Sequence, residues 1–261
     1  MIPPSENGRR KQQMALLRRK GAKIKNLPKV SVIIPAYNEA KTIQRCLGET
    51  FRVMEGFGVP YEVIVVDDGS VDGTIEAVQP VRNLGPLRIF KNGKNEGKAS
   101  AVLRGIDEAE GDIIVTLDGD GQHSPKEIPL IIKPILEGRV KAVIGSRFLE
   151  GNNRIPFRHF LANSVIRGLF NLLYGASFTD VLLGFRAFRK EVLRSAKLKT
   201  KGYLFEVEVL KELLAASSKV GEVGVTCFYP KKSSVPRGLY LTAQILLGTL
   251  HFKISSVLGW D

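Results

Sequence analysis

The sequence predicts an α/β fold, a mostly parallel, doubly wound sheet followed by amphipathic helices. Three observations carry that expectation. Short β-branched runs alternate with helical patterns over residues 30–148, the rhythm of successive βαβ units. Two of these runs end abruptly in carboxylates, Asp67-Asp68-Gly69 and Asp118-Gly119-Asp120, at the strand end where open α/β sheets bind ligands. The chain has 261 residues, 44% of them hydrophobic, enough to bury a sizeable core.

In order, residues 30–35 read as the first strand and 36–39 as its loop. A helix follows over 42–54, then a strand over 61–66. Asp72 or Thr74 caps a helix running through Val78. Residues 87–90 form a short strand, 91–98 a loop, and 99–109 a helix. The run from Ile113 ends as a strand at Asp118, Pro125 opens a helix, and 142–146 is the fifth strand. Over 154–175, Phe157, Phe160, Leu161, Val165, Leu169, Leu172 and Leu173 recur at helical spacing, opposite Arg158, His159, Asn163, Arg167 and Asn171. That is an amphipathic helix with a basic polar side, suited to a core or to an anionic lipid interface. Residues 178–229 supply a loop, a short strand, a helix from Lys190, a helix over 206–216 and a strand over 221–229. Glu206 and Glu208 read either as solvated helix carboxylates or as residues facing an acceptor pocket. Residues 239–258 read as a helix with a narrow polar stripe (Thr242, Thr249, Lys253, Ser256). Three parts result: a basic arm (1–29), an α/β domain (30–230), and a basic bend with an apolar helix for a membrane surface or a partner (231–261).

Cys46 and Cys227 are the two cysteines. They make no disulfide framework and read as reduced core thiols in a cytosolic setting. The net charge of +13 is uneven: residues 1–29 carry nine Lys/Arg against one Glu, leaving +5 for the remainder. Such an arm serves nucleic acid, anionic lipid or only solvent. A nucleic-acid-binding role needs interleaved aromatics, and residues 1–29 contain none, so no nucleic-acid partner is expected. The arm lacks the apolar centre of a secretory signal. No stretch reaches the ~18 uncharged apolar residues of a membrane span; the nearest, 238–252, is broken by Thr242, Gln244 and Thr249. A membrane, if met, is met at its surface or through a partner within it, and Trp260 is a candidate interfacial anchor.

The chemistry concentrates at the strand ends. Asp118 and Asp120 repel each other unless a cation lies between or beside them, and hard carboxylate oxygens suit Mg²⁺ or Mn²⁺ shared with substrate phosphates. Gln122 or His123 can add a ligand. Arg147, just after a strand, can neutralise a diphosphate. Asp67 or Asp68 can accept hydrogen bonds from a base or ribose, and Gly97 with Lys98 lets backbone approach a phosphate at a helix start. No Gly-rich loop ending in Gly-Lys-Ser/Thr and no Gly-x-Gly-x-x-Gly after the first strand is present. These groups suit a metal-bound nucleoside diphosphate. A nucleotidyltransferase is a weaker rival, lacking the Gly-rich signature after the first strand.

Six segments, 30–39 (VSVIIPAYNE), 66–70 (VDDGS), 95–98 (NEGK), 118–123 (DGDGQH), 145–148 (GSRF) and 179–188 (TDVLLGFRAF), together resemble the family 2 glycosyltransferases. The resemblance covers about residues 30–230 and is strongest to polyprenyl-phosphate glycosyltransferases such as the dolichol-phosphate mannose synthases. It implies a type A nucleotide-sugar fold, a Rossmann-like mostly parallel sheet. It places Pro35, Tyr37, Glu39, Asp67 and Asp68 at the base and ribose, and Lys98 joins them on the nucleotide side. Asp118, Asp120 and Gln122 match the metal site, Arg147 a contact to donor or acceptor phosphate, and Asp180 and Arg186 the acceptor loop. It implies an inverting transfer of mannose or glucose from GDP-mannose or UDP-glucose to a polyprenyl phosphate, at the cytoplasmic face of a membrane. A lipid phosphate is already anionic and needs no strong base, whereas a sugar or polysaccharide hydroxyl would need one, with Asp180 the best candidate. The Arg-rich Gly-x-Ser-Lys stretch usual after the last strand is replaced here by Lys231, Lys232 and Arg237, which keep a phosphate site in outline. Many relatives append transmembrane helices; this chain resembles short members that lie on a membrane or pair with a small membrane subunit.

Overall fold

A computed structural model describes residues 27–149, 153, 155–193, 196, 198, 202–216, 219–229 and 238–258. Most of the basic arm, together with Lys231, Lys232, Arg237 and Trp260, lies outside them.

The strands form where the sequence is β-branched and apolar, and they assemble into one seven-stranded sheet of order β3-β2-β1-β4-β6-β5-β7. In chain order the elements are β1 (Val30–Ala36), α1 (Ile43–Phe57), β2 (Tyr61–Asp67), α2 (Thr74–Val78), β3 (Leu87–Lys91), α3 (Lys98–Glu108), β4 (Ile113–Thr116), α4 (Ile128–Leu136), β5 (Ala142–Ser146), α5 (Phe157–Tyr174), β6 (Arg186–Arg189), α6 (Phe205–Ala215), β7 (Val220–Gly224) and α7 (Gly238–Leu258). β1 pairs in parallel with both β2 and β4, so the strand order reverses on either side of it. That switch point opens a crevice at the carboxyl ends of β1 and β4.

Alternation along each strand feeds two cores. Val30, Val32 and Ile34 point to the face covered by α1 and α4; Ile33, Ile64 and Ile114 point to the face covered by α3, α5 and α6. The N-terminal strands and helices stand within a few residues of the sequence expectation. β4 stops at Thr116, with the Leu117 amide still bonded to the Ile33 carbonyl at 3.0 Å. Past residue 178 the structure departs from it. β6 runs antiparallel between β4 and β5, because the loop leaving α5 already lies at the carboxyl edge and the chain must run back along the sheet. Lys190–Leu193 is a short 3₁₀ turn, not a helix. The last strand ends at Gly224, and Cys227 then makes an isolated bridge to His123.

Helix α5 buries Ile166 and Phe170 in the core and turns part of its polar side inward beside them. Asn163 is buried, Arg167 donates to the Thr179 carbonyl at 3.3 Å, and Asn171 exchanges two hydrogen bonds with the Phe178 backbone at 2.8 and 3.1 Å. Phe157, Leu161, Val165 and Leu172 are exposed, Leu172 by 80%. α7 packs alongside α5 and likewise exposes Tyr240, Leu247, Leu250, Ile254 and Leu258 while burying Thr249. Among the described residues no helix is long and apolar enough to cross a membrane.

Candidate active site

Four loops meet at the crevice. After β1, Asn38 adopts a left-handed φ of 57° and latches onto the neighbouring loop: its amide donates to Ser70 Oγ at 2.9 Å, and its Oδ1 accepts from the Val71 amide at 3.0 Å. The Glu39 amide donates to Thr74 Oγ1 at 2.8 Å, and its carboxylate accepts from Thr42 Oγ1 at 2.7 Å. Burial pushes the Glu39 carboxyl up from its ordinary value. Pro35 is buried within β1, and Tyr37 projects into solvent beyond it. Asp67 is buried with one oxygen accepting the Ser70 amide at 3.1 Å; its Oδ2 has no hydrogen-bond partner. Asp68 is engaged throughout, accepting from Asn92 Nδ2 at 2.7 Å and from the Glu96 and Gly97 amides at 3.1 and 2.7 Å. Gly97 makes that contact at φ 93°, a conformation side chains disfavour. Asp68 thus shapes the loop that delivers Lys98 to the first turn of α3.

Asp118 and Asp120 follow β4. Lys98 Nζ lies 2.8 and 2.9 Å from the two Asp118 oxygens. Burial alone would raise the Asp118 carboxyl, but the neighbouring ammonium outweighs it and holds it below its ordinary value. Asp120 has no such cation. Burial first, and the Asp118 charge second, push its carboxyl up to about 6, while its Oδ1 accepts the Gln122 amide at 2.9 Å. His123 is buried on the Phe185 ring, with centroids 5.6 Å apart. Its Nδ1 is 3.8 Å from Asp118 Oδ2 and has no hydrogen-bond partner, and burial lowers the imidazole to about 4. Among the described residues no three His, Cys, Asp or Glu side chains converge as a closed metal cage. An incompletely neutralised carboxylate pair of hard oxygens nevertheless fits Mg²⁺ or Mn²⁺, ions that take one or two carboxylates and complete their shell with water and substrate phosphate.

Beyond β5, Arg147 forks onto Asp180, Nε to Oδ2 at 2.6 Å and Nη2 to Oδ1 at 2.8 Å, with Nη1 3.3 Å from the Tyr229 hydroxyl. Asp180 is 1% exposed, and its remaining capacity is taken by the Leu182 and Arg147 amides. Glu222 holds this loop by accepting from the Thr179 and Asp180 amides. Arg186, expected from the resemblance on the acceptor side, is buried, and its guanidinium donates to the carbonyls of Leu183, Glu206 and Val181 at 2.6, 2.5 and 2.8 Å. That is a bracket joining the loop before β6 to α6.

The pattern described as Glycosyl transferase family 2 matches residues 31–196. The chain belongs to glycosyl transferase family 2. It is 37% identical over 202 residues to a dolichol-phosphate mannosyltransferase of Pyrococcus furiosus, covering 76% of this chain and 56% of the relative. It is 32% identical over 168 residues to an undecaprenyl-phosphate 4-deoxy-4-formamido-L-arabinose transferase of Proteus mirabilis, covering 63% of this chain and 50% of the relative. The chain therefore spans about half the length of the curated relatives it matches. In fold it is similar to glucosyl-3-phosphoglycerate synthase of Mycobacterium tuberculosis, solved with Mn²⁺, UDP and phosphoglyceric acid (TM-score 0.67, 22% identity, 88% of this chain and 82% of that one). It is also similar in fold to mannosyl-3-phosphoglycerate synthase of Rubrobacter xylanophilus (TM-score 0.68, 21% identity, 98% and 79%).

In this member of glycosyl transferase family 2, Glu39, Asp67, Asp68, Lys98, Asp118, Asp120, Arg147 and Asp180 follow the carboxyl ends of their strands or lie in the loops packed there, Arg186 lies inside β6, and Lys231, Lys232 and Arg237 lie outside the described residues. The charges that His123 feels come from Asp118, Lys98, Arg147 and Asp180 together. The sequence reading missed Glu222. Of its two readings of Glu206 and Glu208, the solvated one does not hold: both are buried, and Glu206 Oε1 lies 3.1 Å from Lys98 Nζ. A signal was present, since two carboxylates inside the apolar run 204–210 sit awkwardly on a surface helix.

Proposed function

We propose that this chain transfers a hexose, mannose or glucose, with inversion, from a nucleoside diphosphate sugar to a polyprenyl phosphate at the cytoplasmic face of a membrane. The observation that carries the reading is the Arg147–Asp180 fork. A hydroxyl acceptor would need a free base, and Asp180, the best candidate in sequence, is buried and fully engaged in holding Arg147. An acceptor that is already anionic needs only positioning beside a cation. The likeness to transferases named for dolichol phosphate and undecaprenyl phosphate supports the same class, and so does the outward apolar face of α5 and α7, which with a net charge of +13 suits an anionic lipid surface.

Asp118 and Asp120 would hold Mg²⁺ or Mn²⁺, with Gln122 beside them, and the ion's contribution is to neutralise charge developing on the departing diphosphate. Tyr37, Glu39 and Asp67 line the approach for base and ribose, and Asp68 positions the loop before Lys98. Lys231, Lys232 and Arg237 supply further charge for phosphate, and a small membrane subunit is a compatible partner. The test is to incubate the chain with labelled GDP-mannose or UDP-glucose and a polyprenyl phosphate, then partition into organic solvent. Label in the organic phase, dependent on Mg²⁺ or Mn²⁺, is expected. Transfer only to a water-soluble sugar would replace the lipid acceptor with a hydroxyl one.

A further inference from the structure

The Lys98 ammonium is shared by two carboxylates from different parts of the molecule. It touches both oxygens of Asp118, at 2.8 and 2.9 Å, and Oε1 of Glu206 at 3.1 Å. Glu206 is fixed in the first turn of α6, where Arg186 Nη1 donates to its carbonyl at 2.5 Å. Gly184 closes the seat from above. Its carbonyl accepts from Thr116 Oγ1 at 2.6 Å, and a Cβ added to it would collide with Lys98 Nζ and stand 3.3 Å from Asp118 Oδ2. The ammonium is confined between its two anions.

We propose that Lys98 and Glu206 form a cation-exchange pair for the acidic site: Lys98 neutralises Asp118 when no divalent ion is present, and Glu206 retains Lys98 when a divalent ion takes Asp118. The inference rests on the reading that Asp118 and Asp120 bind metal. An ammonium and a divalent ion repel each other at one carboxylate, so metal entry weakens the Lys98–Asp118 contact. Leaving a part-buried ammonium without a partner is costly, and Glu206 removes that cost by being in contact already. Without Lys98, Asp118 would face the crevice with no counter-charge, and a divalent ion would be drawn in more strongly. Both are positioning residues: they act on metal affinity through Asp118.

The test measures Mn²⁺ affinity by titration calorimetry on the full chain without sugar nucleotide, for wild type, Lys98→Met, Glu206→Gln and the double variant, with folding checked by circular dichroism. Lys98→Met is expected to bind Mn²⁺ about tenfold more tightly and Glu206→Gln about tenfold more weakly, within the roughly 5–150-fold range of site-to-site couplings. In the Lys98→Met background, Glu206→Gln is expected to change affinity by less than about threefold, as a contact that acts only through Lys98 requires. Unchanged affinity in Lys98→Met, or an equal loss from Glu206→Gln with and without Lys98, would overturn the exchange while leaving the metal site standing. No Mn²⁺ binding by the wild type would overturn both. Lys98 is part-exposed, so its variant carries the test alone if Glu206→Gln does not fold.

Discussion

Replacing Asp180 by Asn separates a structural anion from a chemical base. The Asp180 carboxylate is fully buried, and the Arg147 guanidinium it holds is nearly so. Asp180→Asn keeps shape and volume but leaves that guanidinium without its counter-charge. Removing one partner of a buried ion pair costs about 3–5 kcal/mol, and each kcal/mol lowers the melting temperature of a domain this large by about 2–4 °C. A drop on the order of 10 °C follows from these two figures. The double variant Arg147→Met/Asp180→Leu removes both charges and should regain most of that loss, since well-packed apolar replacements of buried pairs are often neutral. It should still fail in transfer, having lost the cation for phosphate. Thermal melts on the three proteins, paired with the partition assay, decide the matter. An Asp180→Asn protein as stable as wild type yet inactive would refute the reasoning and restore Asp180 as the base.

Three further outcomes follow from the same geometry. Arg186→Met strips donors from three buried carbonyls at about 1–3 kcal/mol each, so a lower denaturation midpoint is expected, with metal-binding stoichiometry kept in the folded fraction. Phe157→Asp with Leu172→Asp, both exposed, should change stability by only about 0.5 kcal/mol per site yet abolish sedimentation with anionic vesicles; retained vesicle binding would remove the α5 face from the lipid interface. Asp120 has a folded value of about 6, above its ordinary 3.8, so its ionised form is disfavoured in the metal-free chain. The stability it contributes is present below the unfolded value and lost as pH rises through about 6. Protons compete with metal over the same window, so Mn²⁺ affinity in calorimetric titrations should fall as pH drops below about 6; a flat profile from pH 5 to pH 7 would contradict this.

The N-terminal half of the fold was legible because its strands are β-branched apolar runs alternating with helical patterns. Residues 30–36 and the helix over 43–57, with Ile43, Leu47, Phe51 and Met54 on its buried side, illustrate it. The second half was harder to read. Residues 186–189 are too short to reveal direction, and their antiparallel placement depends on where α5 releases the chain. The α5 pattern was read correctly as amphipathic, but periodicity does not say which side faces the protein; Asn163 turns inward to accept from Arg147 Nη2 at 3.3 Å, and Asn171 to bond the Phe178 backbone. The resemblance placed Arg186 in the acceptor loop, and nothing local in the sequence signals that its side chain turns inward. It is buried, with its guanidinium donating to the carbonyls of Val181, Leu183 and Glu206. The contact of Glu206 with Lys98 escaped likewise, since the two are more than a hundred residues apart in sequence.

The central claim, that Asp118 and Asp120 support sugar transfer by holding a divalent ion, is tested most directly by label transfer to lipid with wild type and Asp120→Asn across a Mn²⁺ titration begun from chelated protein. The account predicts that the wild type recovers from no transfer to full transfer as Mn²⁺ is added, while Asp120→Asn, with an unchanged circular dichroism spectrum, stays inactive throughout. Full transfer by either protein in the presence of excess chelator would contradict it.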